Sequence, residues 1–197
     1  LKISHMTGKL SGVVAINTSP LDNDFCKKQR KKKGTVCASC FSVKMLEACR
    51  QKCRPAWKAN GALLSRPLGR DYLQYWAGGL RPASGLVRFN GHGELINRDH
   101  AKNLFSMARM RLDLGFALWT KRADLVRGLV CPANLSLVFS EEETNKLHTG
   151  PPAGFDKVFC VISDPSVAES NCDRKNCADC RICYDKSGPR VIIEVLK

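Results

Sequence analysis

Apolar residues along this chain fall into short runs separated by stretches of helical spacing. "GVVAINTS" (12–19) is an apolar run that turns polar, the mark of a short strand. In 42–54, Val43, Met45, Leu46, Cys49 and Cys53 share one helical face, and Pro55 is the expected stop. "RDYLQYWAGGL" (70–80) is a second helical segment with Tyr72, Leu73, Tyr75 and Trp76. "SGLVRFNGHGEL" (84–95) reads as a strand that breaks at glycines. The next stretch, 97–114, is amphipathic, with Leu104, Met107, Ala108 and Leu112 near helical spacing. "GFALWTKR", "ANLSLVFS", "FDKVFCVISD" and "PRVIIEVLK" read as strands, and "ADLVRGLV" as a short helix between the first two. No helical pattern spans 140–155, so the last connections are irregular.

Six strands, the early ones separated by helices, predict parallel pairing with right-handed crossovers. The expectation is a single α/β domain over 1–197, built as a partial, six-stranded parallel barrel resembling an incomplete TIM barrel. An eight-stranded barrel needs more chain. The strands end in polar residues, as at Asn17–Ser19, Asn90–Glu94 and Thr120–Arg122. Strand C-terminal ends build the functional face of parallel α/β folds. Two cysteine-rich loops, at 20–53 and 172–184, follow strands and are expected on that face.

The 197 residues carry a net charge of +14, a field that attracts nucleic acid or another polyanion. No apolar run reaches membrane-spanning length, and the first residues do not form a secretory signal. Eleven cysteines, an odd number, cannot all be paired within the chain. Reduced thiols in a cytoplasm, with metal as partner, are the expectation.

"NCDRKNCADCRICY" carries the strongest signal: Cys172, Cys177, Cys180 and Cys183 form C-x4-C-x2-C-x2-C. Two-residue gaps let successive sulfurs curl around one centre, which suits a [4Fe–4S] cluster. Zinc is the alternative, although zinc sites more often draw two separated C-x2-C knuckles. The first set is Cys26, Cys37 and Cys40, C-x10-C-x2-C, three thiolates that would leave one iron open. Cys37, Cys40, Cys49 and Cys53 form a competing, zinc-knuckle-like set, but Cys49 and Cys53 read more simply as buried on a helix face. Cys131 and Cys160 read as core residues.

Together the stretch 87–122, the "CASCFS" segment and "NCADCRICY" resemble the bacteriophage gene product 88 family. The resemblance covers most of the chain and implies phage or prophage origin rather than a reaction. The sequence departs from it at Cys40-Phe41-Ser42, where the family has C-Y-A, and at Gly93-Glu94, where it has G-D. More distantly, three cysteines after the first strand and the turn Gly91-His92-Gly93-Glu94 are similar to radical S-adenosylmethionine (SAM) enzymes. That resemblance implies a reactive cluster on Cys26, Cys37 and Cys40, with Gly91, Gly93 and Glu94 contacting SAM. The ten-residue gap between the first two cysteines departs from the C-x3-C-x2-C of those enzymes.

The gap holds "KKQRKKK", in which Lys27, Lys28, Arg30, Lys31, Lys32 and Lys33 are candidate phosphate contacts; such a run is most often just a solvated loop. Trp57, Tyr72, Tyr75 and Trp76 are candidates for base stacking, although helical spacing favours a core role. His92, His100 and His148 are candidate ligands or proton shuttles. Lys121 and Arg122 end a strand where they could hold an anion. No phosphate-binding P-loop, nucleophile elbow or H-E-x-x-H pattern occurs. Three functions remain: an iron–sulfur enzyme related to radical SAM enzymes, a metal-stapled nucleic-acid-binding protein, or a cluster protein without turnover that serves electron transfer or host take-over.

Overall fold

The computed structural model describes residues 1–172 and 176–196. Seven strands form one sheet in chain order: β1 (Ile3–His5), β2 (Val14–Ile16), β3 (Leu86–Phe89), β4 (Gly115–Thr120), β5 (Leu135–Ser140), β6 (Lys157–Ile162) and β7 (Val191–Val195). β1 and β2 are antiparallel, and every other neighbouring pair is parallel. The α/β class is as expected, but the strand count is seven rather than six. The sheet is open, with β1 and β7 at its edges, so barrel closure is not observed. The added strand has no apolar period of its own. "ISH" becomes a strand by pairing Ile3, Ser4 and His5 with Ile16, Ala15 and Val14.

The helices are α1 (Asp24–Gln29), α2 (Phe41–Glu47), α3 (Arg54–Leu64), α4 (Arg70–Gly78), α5 (Arg98–Arg109), α6 (Ala123–Val126) and α7 (Cys177–Cys180). α5 shows why such a segment folds. The Asn97 side chain accepts from His100 N at 3.0 Å, Asp99 lies in the first turn and Arg109 in the last. Ala101, Leu104, Phe105 and Ala108 then form one buried face. Leu112 falls beyond the helix end and is 75% exposed, against the expected pattern. Pro55 begins α3 instead of ending the preceding helix. Proline lacks only an N–H that the first turn leaves unpaired anyway.

Successive strand residues point to opposite faces. Val14, Ile16, Val87, Phe89, Phe116, Leu118, Leu135 and Leu137 meet Leu64, Leu73, Ala77, Leu104 and Phe105 of α3, α4 and α5 in the main core. Sequential parallel strands with same-handed crossovers bring these helices to one side. The opposite face carries Arg88, Ala117, Trp119 and Val138. Cys183 and Tyr184 of the C-terminal cysteine segment cover it.

That segment corrects a further expectation. Arg181 Nη2 donates to Ser84 O (3.0 Å), and Lys186 Nζ to Pro132 O (3.4 Å). Ser84 and Pro132 precede β3 and β5, so the second cysteine loop lies across the open face toward the strand N-terminal ends. Only the first cysteine loop sits at the strand C-terminal ends. The chain has to travel back across the sheet, because β7 runs parallel to β6.

Candidate metal centre

α7 is a single turn. Asn176 caps it, its side chain accepting from Ala178 N at 2.8 Å. The turn sets Cys177 and Cys180 three residues apart on one side. Arg181, at φ +53°, then bends the chain so that Cys183 turns back toward them. Cys172 is held by its own N–H, which donates to Ile193 O at 3.1 Å. The result is one small cavity lined by Cys172, Cys177, Cys180 and Cys183, with Lys9, Arg88, Trp119 and Tyr184 in its walls.

The cavity is cationic around its thiols. Lys9 Nζ lies 3.0 Å from Cys172 Sγ and 2.8 Å from Glu194 Oε1. Burial works against the charge on Lys9, but these two partners outweigh it and raise its pKa. The Arg88 guanidinium stacks 3.8 Å from the Trp119 ring centroid. Burial pushes Cys177 upward and Cys183 up to about 12, with Arg88 pulling the other way. Binding a metal here must therefore displace protons. Among the described residues, three buried donors in these walls, Arg88 Nε, Trp119 Nε1 and Tyr184 Oη, have no hydrogen-bond partner. Buried donors are seldom left unpaired.

The first set assembles at the other end of the sheet. Cys26 lies in the first turn of α1, where the Asn23 side chain accepts from Phe25 N and Cys26 N. Asn23 Nδ2 donates to Glu94 O at 3.0 Å, which pins the helix to the loop after β3. Cys37 and Cys40 belong to a turn closed by Cys40 N donating to Cys37 O (3.2 Å), and α2 starts there. Cys26 and Cys37 sit close enough to Cys40, Glu94 and Lys121 to feel their charges. Burial raises Cys26, and Glu94 raises it further. Burial raises Cys37, and Lys121 opposes it.

Among the described residues, no three His, Cys, Asp or Glu side chains form a group able to hold a metal ion as they stand. A tetrahedral zinc site would draw its sulfurs to within about 3.8 Å of one another, given Zn–S bonds of about 2.3 Å. The C-terminal thiols line one cavity.

Gly91, Gly93 and Glu94 shape the loop after β3, beside the first set. Gly93 has φ +85°, and a Cβ there would stand 2.3 Å from Thr18 O. A Cβ on Gly91 would stand 3.0 Å from Asn17 Oδ1. The buried Glu94 carboxylate accepts from Thr120 Oγ1 (2.6 Å), Leu95 N (2.7 Å) and Lys121 N (2.8 Å). Burial pushes its pKa up, and these donors moderate the shift. A ligand amino group would have to share a carboxylate that three internal donors already engage.

The remaining sequence candidates separate. In the basic run, Lys27 and Lys28 close α1, and Gln29 between the cations is buried. Lys27 pairs with Asp24 and Lys32 with Glu142, while Arg30 stands 4.0 Å from Glu47. Lys28, Lys31 and Lys33 are exposed. Cys49 is exposed, against its expected burial, because α2 ends before it. Cys160 is buried and Cys131 half-buried, its thiol 3.4 Å from Leu135 O. Trp57 is a core residue, whereas Tyr75 is exposed. His100 is buried. The His148 ring bonds the buried carboxylate of Glu141, a pairing that no spacing in "EEETNKLH" announced. Lys121 Nζ donates to Ser140 Oγ (2.6 Å), and Arg122 pairs with Asp124.

An open, mostly parallel α/β sheet with one thiol group at its strand ends and another across its free face defines the class of this protein. The family model described as Gene product 88 matches residues 4–186, and the chain belongs to that phage gene product family. No curated protein and no solved structure matches it. Among the described residues no helix is long and apolar enough to cross a membrane.

Proposed function

We propose that this chain is an iron–sulfur protein of the host cytoplasm, with Cys172, Cys177, Cys180 and Cys183 holding a [4Fe–4S] cluster. One observation carries the reading: four thiols line a single cavity whose walls also hold three orphaned buried donors. A cluster supplies what those donors lack, because its sulfides accept hydrogen bonds. A zinc ion adds no acceptor beyond the thiolates themselves. Lys9 and Arg88 offset the negative charge that four thiolates bring.

Cys26, Cys37 and Cys40 are a candidate second cluster site with one iron free of protein thiolate, the arrangement that radical SAM chemistry uses. Glu94 would there hold the loop in place and leave any SAM contact to other groups. A binding role on nucleic acid is the second reading. It rests on the exposed Lys28, Lys31 and Lys33, which border this site.

The test is anaerobic, iron-replete purification with iron, sulfide and zinc counted per chain. The expected product is brown with near-stoichiometric iron and sulfide, and Cys177→Ser with Cys180→Ser removes the C-terminal share. A colourless protein carrying stoichiometric zinc refutes the cluster. SAM added to the reduced protein then separates the enzyme reading from a structural one. An unchanged electron paramagnetic resonance spectrum and no binding heat rule SAM out.

A further inference from the structure

A second concavity lies away from the thiol cavity. It holds about 290 Å³ between β1, the α2–α3 junction and the ends of β2 and β3. Its walls include Lys2, His5, Arg50, Lys52, Asn17, Trp57 and His92, and among the described residues no carboxylate. Among the described residues, Lys2, Arg50 and Lys52 form no ion pair, although many other surface cations of this chain do. Like charges gathered in one concavity repel unless an anion joins them.

The walls are built in advance. The buried Asn60 side chain accepts from Lys2 N (2.7 Å) and donates to Lys2 O (2.8 Å) and Asn17 O (3.0 Å). One residue of α3 thereby locks β1 to the end of β2. The His92 ring stacks on Trp57 at 4.5 Å between centroids and 19° between planes, and its Nδ1 lies 2.9 Å from Ser42 Oγ. Asn17 is fully buried. Its Oδ1 accepts from His92 N at 2.9 Å, while its Nδ2 has no partner among the described residues. An unpaired buried amide donor in the wall of a cationic cleft is a polar group waiting for an acceptor.

The geometry points to a binding site for a small phosphate monoester. A phosphate brings two negative charges and three acceptor oxygens, which answers several cations and a spare amide donor together. The volume is at the lower end of small-ligand pockets, room for the phosphate and a compact organic group. This site is separate from the C-terminal thiol cavity, although Cys53 is among its lining residues, and it draws on residues 2 to 92, far apart in the sequence.

The full chain, with or without metal, is titrated by calorimetry with inorganic phosphate, adenosine monophosphate and adenosine. The expected result is one site per chain for both phosphate probes, mutual competition between them, and no binding of adenosine. Arg50→Gln with Lys52→Gln lowers affinity about tenfold or more, the loss of charge-assisted contacts, while Lys28→Gln with Lys33→Gln leaves it unchanged. Arg50 and Lys52 are not core residues, and circular dichroism checks that the variant stays folded. Lys2→Gln provides a second variant should it not. Adenosine binding as tightly as its monophosphate refutes the site. So does indifference to the Arg50 and Lys52 changes, no binding of either phosphate probe, or binding only of long oligonucleotides that the basic-run variants abolish.

Discussion

Gly93→Ala tests whether the loop carrying Glu94 is shaped by packing. At φ +85° an alanine is strained, and its Cβ would stand 2.3 Å from both Thr18 O and Thr18 Oγ1. The hydroxyl can rotate away, but the carbonyl belongs to the backbone that leaves β2. The backbone strain costs about 1–2 kcal/mol, and forcing a methyl into filled space adds about 1–3 kcal/mol. The expected loss is about 2–5 kcal/mol, a large part of a typical domain's stability. Gly34→Ala is the control: φ is +74°, and no atom lies within 4 Å of its Cβ position. Only the strain applies there, so the loss stays near 1–2 kcal/mol. Urea unfolding of both variants measures the difference. With a slope of about 2 kcal/mol per molar, the Gly93 variant should unfold about 1–2.5 M earlier than the native chain. Equal midpoints for the two variants would mean that Thr18 does not exclude a side chain, and the loop's shape would need another cause.

Burial alone lowers the His100 pKa from 6.5 to about 3. The unfolded chain therefore takes up this proton first, and stability falls as pH drops below about 6.5, by at most about 1.4 kcal/mol per unit from this group. His100→Asn keeps an acceptor for Ile96 N, now 3.3 Å from Nδ1, and should flatten that slope in unfolding measured at pH 7 and pH 5; an unaltered slope refutes the assignment. Arg88→Gln removes a cation from the thiol cavity and should shift the proposed cluster's reduction potential to more negative values. A redox titration in which the two potentials coincide would place the cluster away from Arg88.

Local pattern determined most of the elements. The helix over Arg98–Arg109 and the strands from Leu86 to Val195 follow from apolar period, caps and punctuation that lie within each segment. The spacing of Cys172 to Cys183 likewise brings four thiols to one cavity, because the gaps are short enough for local geometry to govern them. β1 was not legible, since three residues acquire strand geometry only from the partner they pair with. Nor was the position of the C-terminal cysteine segment, which depends on β7 running parallel to β6 and forcing the chain back across the sheet. The orphaned donors Arg88, Trp119 and Tyr184 come from β3, β4 and the segment after α7, and the basic cleft gathers residues from 2 to 92. Sequence spacing constrains neighbours along the chain; which distant side chains share a cavity is decided by strand order and by which face each residue turns to, and that belongs to the tertiary structure alone.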